Sequence, residues 1–258
     1  MTNLMDLDLE VGGIKKKITM KITFISDTHS KHKLIEKDLP GGDLLIHAGD
    51  MSSMGYNHEI QDFCQWFDGL DYDFKVFIAG NHDWGFIDRE PFFVHRSVLI
   101  PRRTEEVLNS YKNFEYLRDS SIEVQIGDEK PVKIYGSPWQ PEFFDWAFNL
   151  PRKGEELKRR WDNIPTDTDI LITHGPAYGY VDRVIGRTEH LGCELLADRI
   201  KEIKPKIHVC GHIHTGYGYV FDGDTHYINA SVLNEQYAYA NKPLIVDWNQ
   251  ETNELVFL

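Results

Sequence analysis

The chain has 258 residues and a formal net charge of −13 with histidine neutral, and its 41% hydrophobic and 27% charged residues describe an ordinary globular protein. Gripping nucleic acid takes clustered Lys and Arg; the one basic run, Lys15 to Lys17, is short, so no stable nucleic-acid binding is expected. No apolar run reaches the length of a membrane span, and three cysteines without CxxC spacing argue against a disulfide framework, so a cytoplasmic location away from membranes is the expectation.

No linker-like tract or internal repeat divides the chain, which reads as one domain over residues 20–258 preceded by an extension over 1–19. Met20 opens the first apolar run, "KITFISDTH", which closes on Asp27 and His29. "GGDLLIHAGD" closes on Asp50. "NHEIQDFCQWFDGL" has Ile60, Phe63, Cys64 and Phe67 at helical spacing and stops near Gly69. "FKVFIAGNHD" closes on Asn81, His82 and Asp83, and "RRTEEVLNSYKNF" reads as a second helix. "VKIYGSPW" closes on Ser137 to Trp139; "KGEELKRRWDNI" is a third helix, ending before Pro165. "TDILITHGP" closes on His174, "GCELLADRIKEIKP" is a fourth helix, and "KIHVCGHIH" closes on His212 and His214. The apolar runs are too short for buried helices and read as central strands. Their alternation with helices predicts an α/β protein with parallel strands covered by helices.

In such sheets ligands bind beyond the carboxyl ends of the strands. Five runs bring Asp27, His29, Asp50, Asn81, His174, His212 and His214 to what should be one edge. Imidazole and carboxylate donors without thiolates suit Zn, Fe, Ni, Co or Mn and disfavour a structural zinc site. Seven donors are too many for one four-coordinate ion and suit two ions that share a carboxylate, the arrangement that clamps attacking and leaving oxygens in phosphoryl displacement. "AGD", "AGNHD" and "CGHIH" each put Gly directly before a donor, where positive φ or close backbone approach is expected.

Taken in order, "DTH", "GD", "GNHD", "THG" and "GHIH" resemble the five motifs of the calcineurin-like metallophosphoesterase superfamily. The flanking text, "GSPWQPEF", "TDILITHGP" and "THYINAS" among it, looks closest to the metallophosphoesterase-domain-containing branch, which is similar to class III cyclic-nucleotide phosphodiesterases. The resemblance implies a four-layer αββα sandwich of two mixed β-sheets flanked by helices. It implies one divalent or mixed-valence metal ion on Asp27, His29, Asp50 and His214 and a second on Asp50, Asn81, His174 and His212, with Asp50 bridging. It also implies that His82 contacts substrate and assists the leaving group. The expected reaction is hydrolysis of a small phosphodiester, a cyclic nucleotide being one such substrate, by a hydroxide shared between the ions. Phosphomonoesterase, metal-dependent nuclease and non-catalytic metal-binding scaffold are the rival readings.

One departure stands out. In the protein-phosphatase branch the second motif continues into Asp-Arg-Gly, whereas here Ser53, Met54 and Gly55 follow, which counts against a Ser/Thr protein phosphatase. It also leaves His82 without its acidic orienter, and the neighbouring Asp83 is the candidate. His47 is expected to support the site or the core, and Asn229 to support the site or a turn. Trp139, at a strand end, is the expected aromatic lining of the substrate pocket, ahead of Trp146. His32, His58, His95, His190, His208 and His226 have no motif partners and read as ordinary.

Overall fold

The structure, a computed structural model, describes residues 9–11, 14–16, 19–87, 104–126 and 130–258. Within the expected N-terminal extension, β1 (Leu9–Val11) and β2 (Ile14–Lys16) pair antiparallel. β3 (Thr19–Ile25) opens one residue before Met20, which is buried and opposes Trp248 in the neighbouring strand. The first sheet contains β3, β4 (Gly42–His47), β5 (Tyr72–Phe77) and β6 (Glu115–Tyr116) in parallel. It is extended antiparallel on the β3 side by β15 (Leu244–Asn249) and β16 (Glu254–Phe257). The second sheet contains β8 (Val132–Ser137), β11 (Ile170–Thr173), β12 (Ile207–Cys210) and β14 (His226–Asn229) in parallel. Its edges are the antiparallel β7 (Ser120–Val124) and β13 (Gly218–Phe221). A short parallel pair, β9 (Gln140–Pro141) and β10 (Asn149–Leu150), follows the β8 end.

The strand period of two sorts the apolar residues into layers. Ile22, Phe24, Leu44, Ile46, Val76 and Ile78 from the first sheet share one buried cluster with Ile134, Ile170, Ile172, Ile207, Val209 and Ile228 from the second. These are the two inner faces, packed sheet on sheet. The alternate residues face the helices. Phe77 meets Phe63 and Phe67 of α1 (Asn57–Asp68) edge-on, at ring separations of 5.4 and 5.8 Å. On the second sheet Tyr135 and Leu171 belong to the cluster that holds Leu157 and Trp161 of α3 (Glu155–Asp162) and Leu196 and Ile200 of α4 (Glu194–Ile203). Between these helices in sequence, α2 (Thr104–Asn109) falls within the second expected helix, whose residues 102 and 103 lie outside the described residues, as does His95. The architecture is the expected αββα sandwich of mixed sheets. None of the described helices is long and apolar enough to cross a membrane.

Both sheets end on one edge. Ser26, just beyond β3, bridges to Ser231, just beyond β14, and Val232 N donates to Ser26 O at 3.1 Å. The loops that leave β3, β4 and β5 therefore meet those that leave β11, β12 and β14.

Candidate metal centre

Those loops carry the histidines and carboxylates singled out in the sequence. The first sheet contributes Asp27, His29, Asp50, Asn81 and His82; the second contributes His174, His212 and His214. Four of them, Asp27 (φ 54°), His29 (φ 39°), Asp50 (φ 55°) and His212 (φ 64°), lie in the left-handed region, which costs a non-glycine residue roughly 1–2 kcal/mol each. Tertiary hydrogen bonds hold this strain: Asp27 N to Gly49 O (2.9 Å), His29 N to Asp50 O (3.0 Å) and His212 N to the Asp27 carboxylate (3.0 Å). Of the glycines before a donor, Gly49 takes a positive φ (98°), while Gly80 and Gly211 act through space. A Cβ on Gly80 would lie 2.3 Å from Asp50 Oδ1, and one on Gly211 would lie 2.1 Å from Asp27 Oδ2.

Three overlapping groups result. Asp27, His29 and His214 bring donor atoms within 4.8 Å of one another, as do Asp27, Asp50 and His174, and likewise His29, Asp50 and His82. Between the clusters, Asp50 Oδ2 is 3.7 Å from His29 Nε2 and 3.3 Å from His174 Nε2, while Oδ1 accepts from the His82 backbone N–H at 2.8 Å. One carboxylate oxygen thus faces both histidine sets. Asn81 Oδ1 lies 3.0 Å from His174 Nε2, and the His212 ring lies beside that of His174 with centroids 5.1 Å apart.

The donor set fits metal ions by its proton arrangement. His174 Nδ1 is 2.9 Å from Ala48 O and His214 Nδ1 is 2.9 Å from Asn234 O. A carbonyl accepts only, so each Nδ1 carries a proton and each Nε2 is the nitrogen turned into the cluster, where a metal ion would take its lone pair. His29 Nε2 and His214 Nε2 face each other at 3.4 Å, a spacing that a shared cation would satisfy. Without a cation the acids supply the compensation. Burial alone would lower the pKa of His174, yet the Asp50 charge and hydrogen bond raise it to about 9; His214 is likewise raised to about 9, by Asp27. Asp50 is held well below the usual carboxylate range: burial pushes it up, and the charges of His174, His82 and His29 override that.

The parts behind the donors are as specific. Ser231 Oγ donates to Asp27 Oδ2 at 2.7 Å, and Asn229 Nδ2 donates to Ile213 O (2.9 Å) and Gly211 O (3.3 Å), so the strand end of β14 props both the first donor and the "GHIH" loop. His47 Nδ1 accepts from Gly49 N, which leaves Nε2 to donate to Thr28 Oγ1 at 2.9 Å; it ties the "DTH" loop to the "GD" loop. His208, read as ordinary, is buried and donates to Thr173 Oγ1 at 2.7 Å, because that hydroxyl already donates to Gly175 O. It supports the "THG" loop, and only its place on an apolar strand beside the motif signals this.

Two expectations are corrected. Asp83 does not orient His82. Its buried carboxylate accepts from Gly80 N (2.7 Å), Ser52 N (3.0 Å), Met51 N (3.3 Å) and Ser52 Oγ (2.5 Å). His82 Nδ1 is instead 2.8 Å from the carbonyl oxygen of Ser53, the residue that stands where the protein phosphatases have Asp. Nor does Trp139 line the cavity over the metal centre. Its Nε1 donates to Asp119 (2.8 Å), Arg160 lies over its ring at 4.3 Å, and only 8% of it is exposed. Asp119 also holds Ser137 and Arg160, and this network draws the indole inward. Of the two tryptophans, Trp146 is the one against the site: it stacks on His82 with centroids 4.0 Å apart and planes 26° from parallel. Its approach follows from Ala147 N bonding to Asn81 O at 3.1 Å, a long-range contact with no local sequence signal.

A cavity of about 490 Å³ opens over the cluster. Asp50, Asn81, His82, His212 and His214 line its floor. Its walls carry Glu142 and Glu235 against Arg152 and Arg187. Arg152 is engaged by Leu191 O, Gly192 O and Glu194, so the walls add little net positive charge to the floor.

Comparison with known proteins agrees with this geometry. The sequence model of the family described as calcineurin-like phosphoesterase matches residues 20–216. Human metallophosphoesterase domain-containing protein 1 is 42% identical over 233 residues, covering 86% of this chain and 69% of the human one. The probable glycerophosphodiester phosphodiesterase GpdQ of Arcobacter nitrofigilis is 23% identical over 216 residues, covering 76% of this chain and 72% of its own. Among solved structures, TT1561 of Thermus thermophilus superposes with a TM-score of 0.60 at 15% identity, covering 93% of this chain and 98% of that one, a likeness of fold. With the five motifs gathered at one edge of an αββα sandwich, the chain belongs to the calcineurin-like phosphoesterase family.

Proposed function

We propose that the preferred substrate is a small phosphodiester and that two metal ions serve the reaction, a reading that membership of this family supports at the level of metal-dependent phosphoester hydrolysis. The observation that carries the reading is Asp50 Oδ2, placed toward both His29 and His174 with the His82 side chain at the same floor. Asp27, His29, Asp50 and His214 would hold one ion, and Asp50, Asn81, His174 and His212 the other. Bound there, divalent ions supply positive charge to the phosphoryl oxygens and lower the pKa of water toward about 7.

The chain's own residues do the rest. Ser53 O holds the His82 Nδ1 proton, and Trp146 fixes the plane of the ring, so Nε2 is the nitrogen free to give a proton to the leaving oxygen. Asp50 Oδ1 is fixed by the His82 backbone, which couples the position of the acid to that of the carboxylate that both ions would share. Diester over monoester is favoured by charge. Two divalent ions less Asp27, Asp50 and a deprotonated water leave roughly one positive charge, which suits a monoanion. The balanced Glu and Arg of the walls add no further clamp for a dianion. The name of the Arcobacter relative agrees with a diester.

The test is turnover of bis-p-nitrophenyl phosphate and p-nitrophenyl phosphate, with a panel of cyclic nucleotides and a nuclease gel, each before and after chelation. The expected result is diester turnover above monoester turnover, abolished by chelator and restored by Mn²⁺ or Zn²⁺. A monoester preference would overturn the substrate class. Metal binding without any turnover would identify a scaffold.

A further inference from the structure

We propose that Tyr237 contacts the substrate, its hydroxyl donating a hydrogen bond to a non-bridging phosphoryl oxygen. The inference rests on the phosphoester reading above. Tyr237 lines the cavity together with His82 and His214. Its ring stands edge-on to His29 (4.8 Å, 80°) and His214 (5.5 Å, 80°) and 6.3 Å from His82, against three histidines of the floor at once. Among the described residues only two hydroxyl side chains line this cavity, Thr215 and Tyr237. Thr215 Oγ1 donates to Arg183 O at 2.9 Å, whereas Tyr237, 42% exposed to the cavity and solvent, has no hydrogen bond from its hydroxyl to another described residue. Phe143, which also lines the cavity, meets His212 edge-on at 5.3 Å and offers no donor. A phenol suits the role, since it donates a proton without adding charge to a site already tuned for a monoanion.

The backbone shows that this placement is imposed. Tyr237 sits at φ 56°, a left-handed conformation that a large side chain adopts only when its surroundings over-determine it. Those surroundings are present. Tyr237 N donates to Asn234 O (2.8 Å), Lys31 Nζ donates to Tyr237 O (2.5 Å), and Asn234 Oδ1 accepts from Gln236 N (3.0 Å) and Ala238 N (2.9 Å). Asn234 O is also the acceptor for His214 Nδ1. One strained turn therefore sets the lone pair of a metal-facing histidine and carries Tyr237 to the cavity wall.

The test compares Tyr237→Phe and Tyr237→Leu with wild type, all loaded with Mn²⁺. Inorganic phosphate is titrated by calorimetry, and kcat/KM is measured on bis-p-nitrophenyl phosphate. Both variants should keep wild-type metal content. Each should bind phosphate roughly tenfold more weakly, the effect of one hydrogen bond to a charged acceptor, with a similar fall in kcat/KM. Wild-type phosphate affinity in Tyr237→Phe would overturn the proposal, and a loss confined to Tyr237→Leu would do so too, since it assigns the effect to ring packing. Phosphate binding also separates this inference from the hydrolytic one. If wild type turns over no phosphoester but Tyr237→Phe still weakens phosphate, the contact stands and the hydrolysis falls.

Discussion

Asp50 and Asp83 are both buried, both sit in the loops of the second and third motifs, and face opposite ways. Asp50 is turned to the cleft, where imidazoles surround it. Asp83 is turned to the interior, where three backbone amides and one hydroxyl surround it. Their partners decide their character. The histidine charges hold Asp50 well below the usual range in spite of burial, whereas burial and the nearby Asp50 charge push Asp83 up to about 6. An imidazole N–H proton can be displaced by a metal ion, and a backbone amide proton cannot. The first carboxylate is therefore built for exchange and the second for support: Asp83 ties Met51 and Ser52 of one motif loop to Gly80 of the next.

The comparison breaks most visibly at Asp50. Asp50→Asn should lose metal from both positions and lower kcat/KM by more than about a hundredfold, a loss beyond the 10–100-fold typical of residues that merely support a ligand. Metal analysis beside kinetics reads it. Two tightly held ions with full activity would show that Asp50 does not join the clusters.

His82 sharpens it, because it neighbours both Asn81 and Asp83. His82→Ala should keep near wild-type metal content and lower kcat by about 10²–10⁴ for a poor leaving group such as an alcohol. The loss should be smaller for nitrophenolate, which needs little protonation. Equal losses across leaving groups would assign His82 to positioning instead, and a lost ion would make it a ligand, a role its place within 4.8 Å of His29 and Asp50 allows.

At Asp83 the expected injury is to the fold. Asp83→Ala leaves four donors without their acceptor, an expected cost of about 3–5 kcal/mol. For a chain of this size that lowers the thermal midpoint by roughly 10 °C. Below its own midpoint the variant should still bind metal. Metal loss equal to that of Asp50→Asn in a folded Asp83→Ala protein would erase the distinction between exchange and support.

The sequence exposed the cleft side of this comparison better than the interior side. Every residue proposed to hold metal follows a short apolar strand, and the strand period places it at a sheet end, so periodicity and residue type were enough to gather all seven at one edge. What lies behind them follows from contacts between distant segments. Ser53 serves through its backbone carbonyl, which any residue has. Ser231 and Asn229 act from β14, and Tyr237 from a turn beyond it, where no motif draws the eye. The sequence ranks Trp139 ahead of Trp146, and the order is reversed because an arginine and an aspartate, Arg160 and Asp119, draw the Trp139 indole inward. The strands after the last donor, β13 to β16, escaped as well. β13 is partly exposed and β15 alternates its burial, so neither reads as the continuous apolar run of a central strand.

The mildest test uses pH on chelated protein. His174 and His214 have folded-state pKa values near 9 against 6.5, because Asp50 and Asp27 overcome the effect of burial. The stability they contribute is fully present below pH 6.5 and is lost as pH rises from 6.5 to about 9, by roughly 3 kcal/mol apiece at most. His29 and His32 are lowered by burial to about 4, and His47, His208 and His212 to about 3. These favour the neutral ring in the folded state, so stability falls as pH drops from 6.5 toward 4. Asp83, raised from 3.8 to about 6, works in the opposite direction between those values and offsets about one of the five. The chelated protein should therefore be most stable near pH 6.5. Adding Mn²⁺ should displace the protons on His174 and His214 and flatten the alkaline side, since a bound ion needs the lone pairs they occupy. Thermal midpoints from pH 5 to 9, with and without Mn²⁺, measure both limbs. A chelated protein with no decline between pH 6.5 and 9 would mean that the cleft-facing nitrogens carry no exchangeable proton, and Asp50 would then be a supporting carboxylate like Asp83.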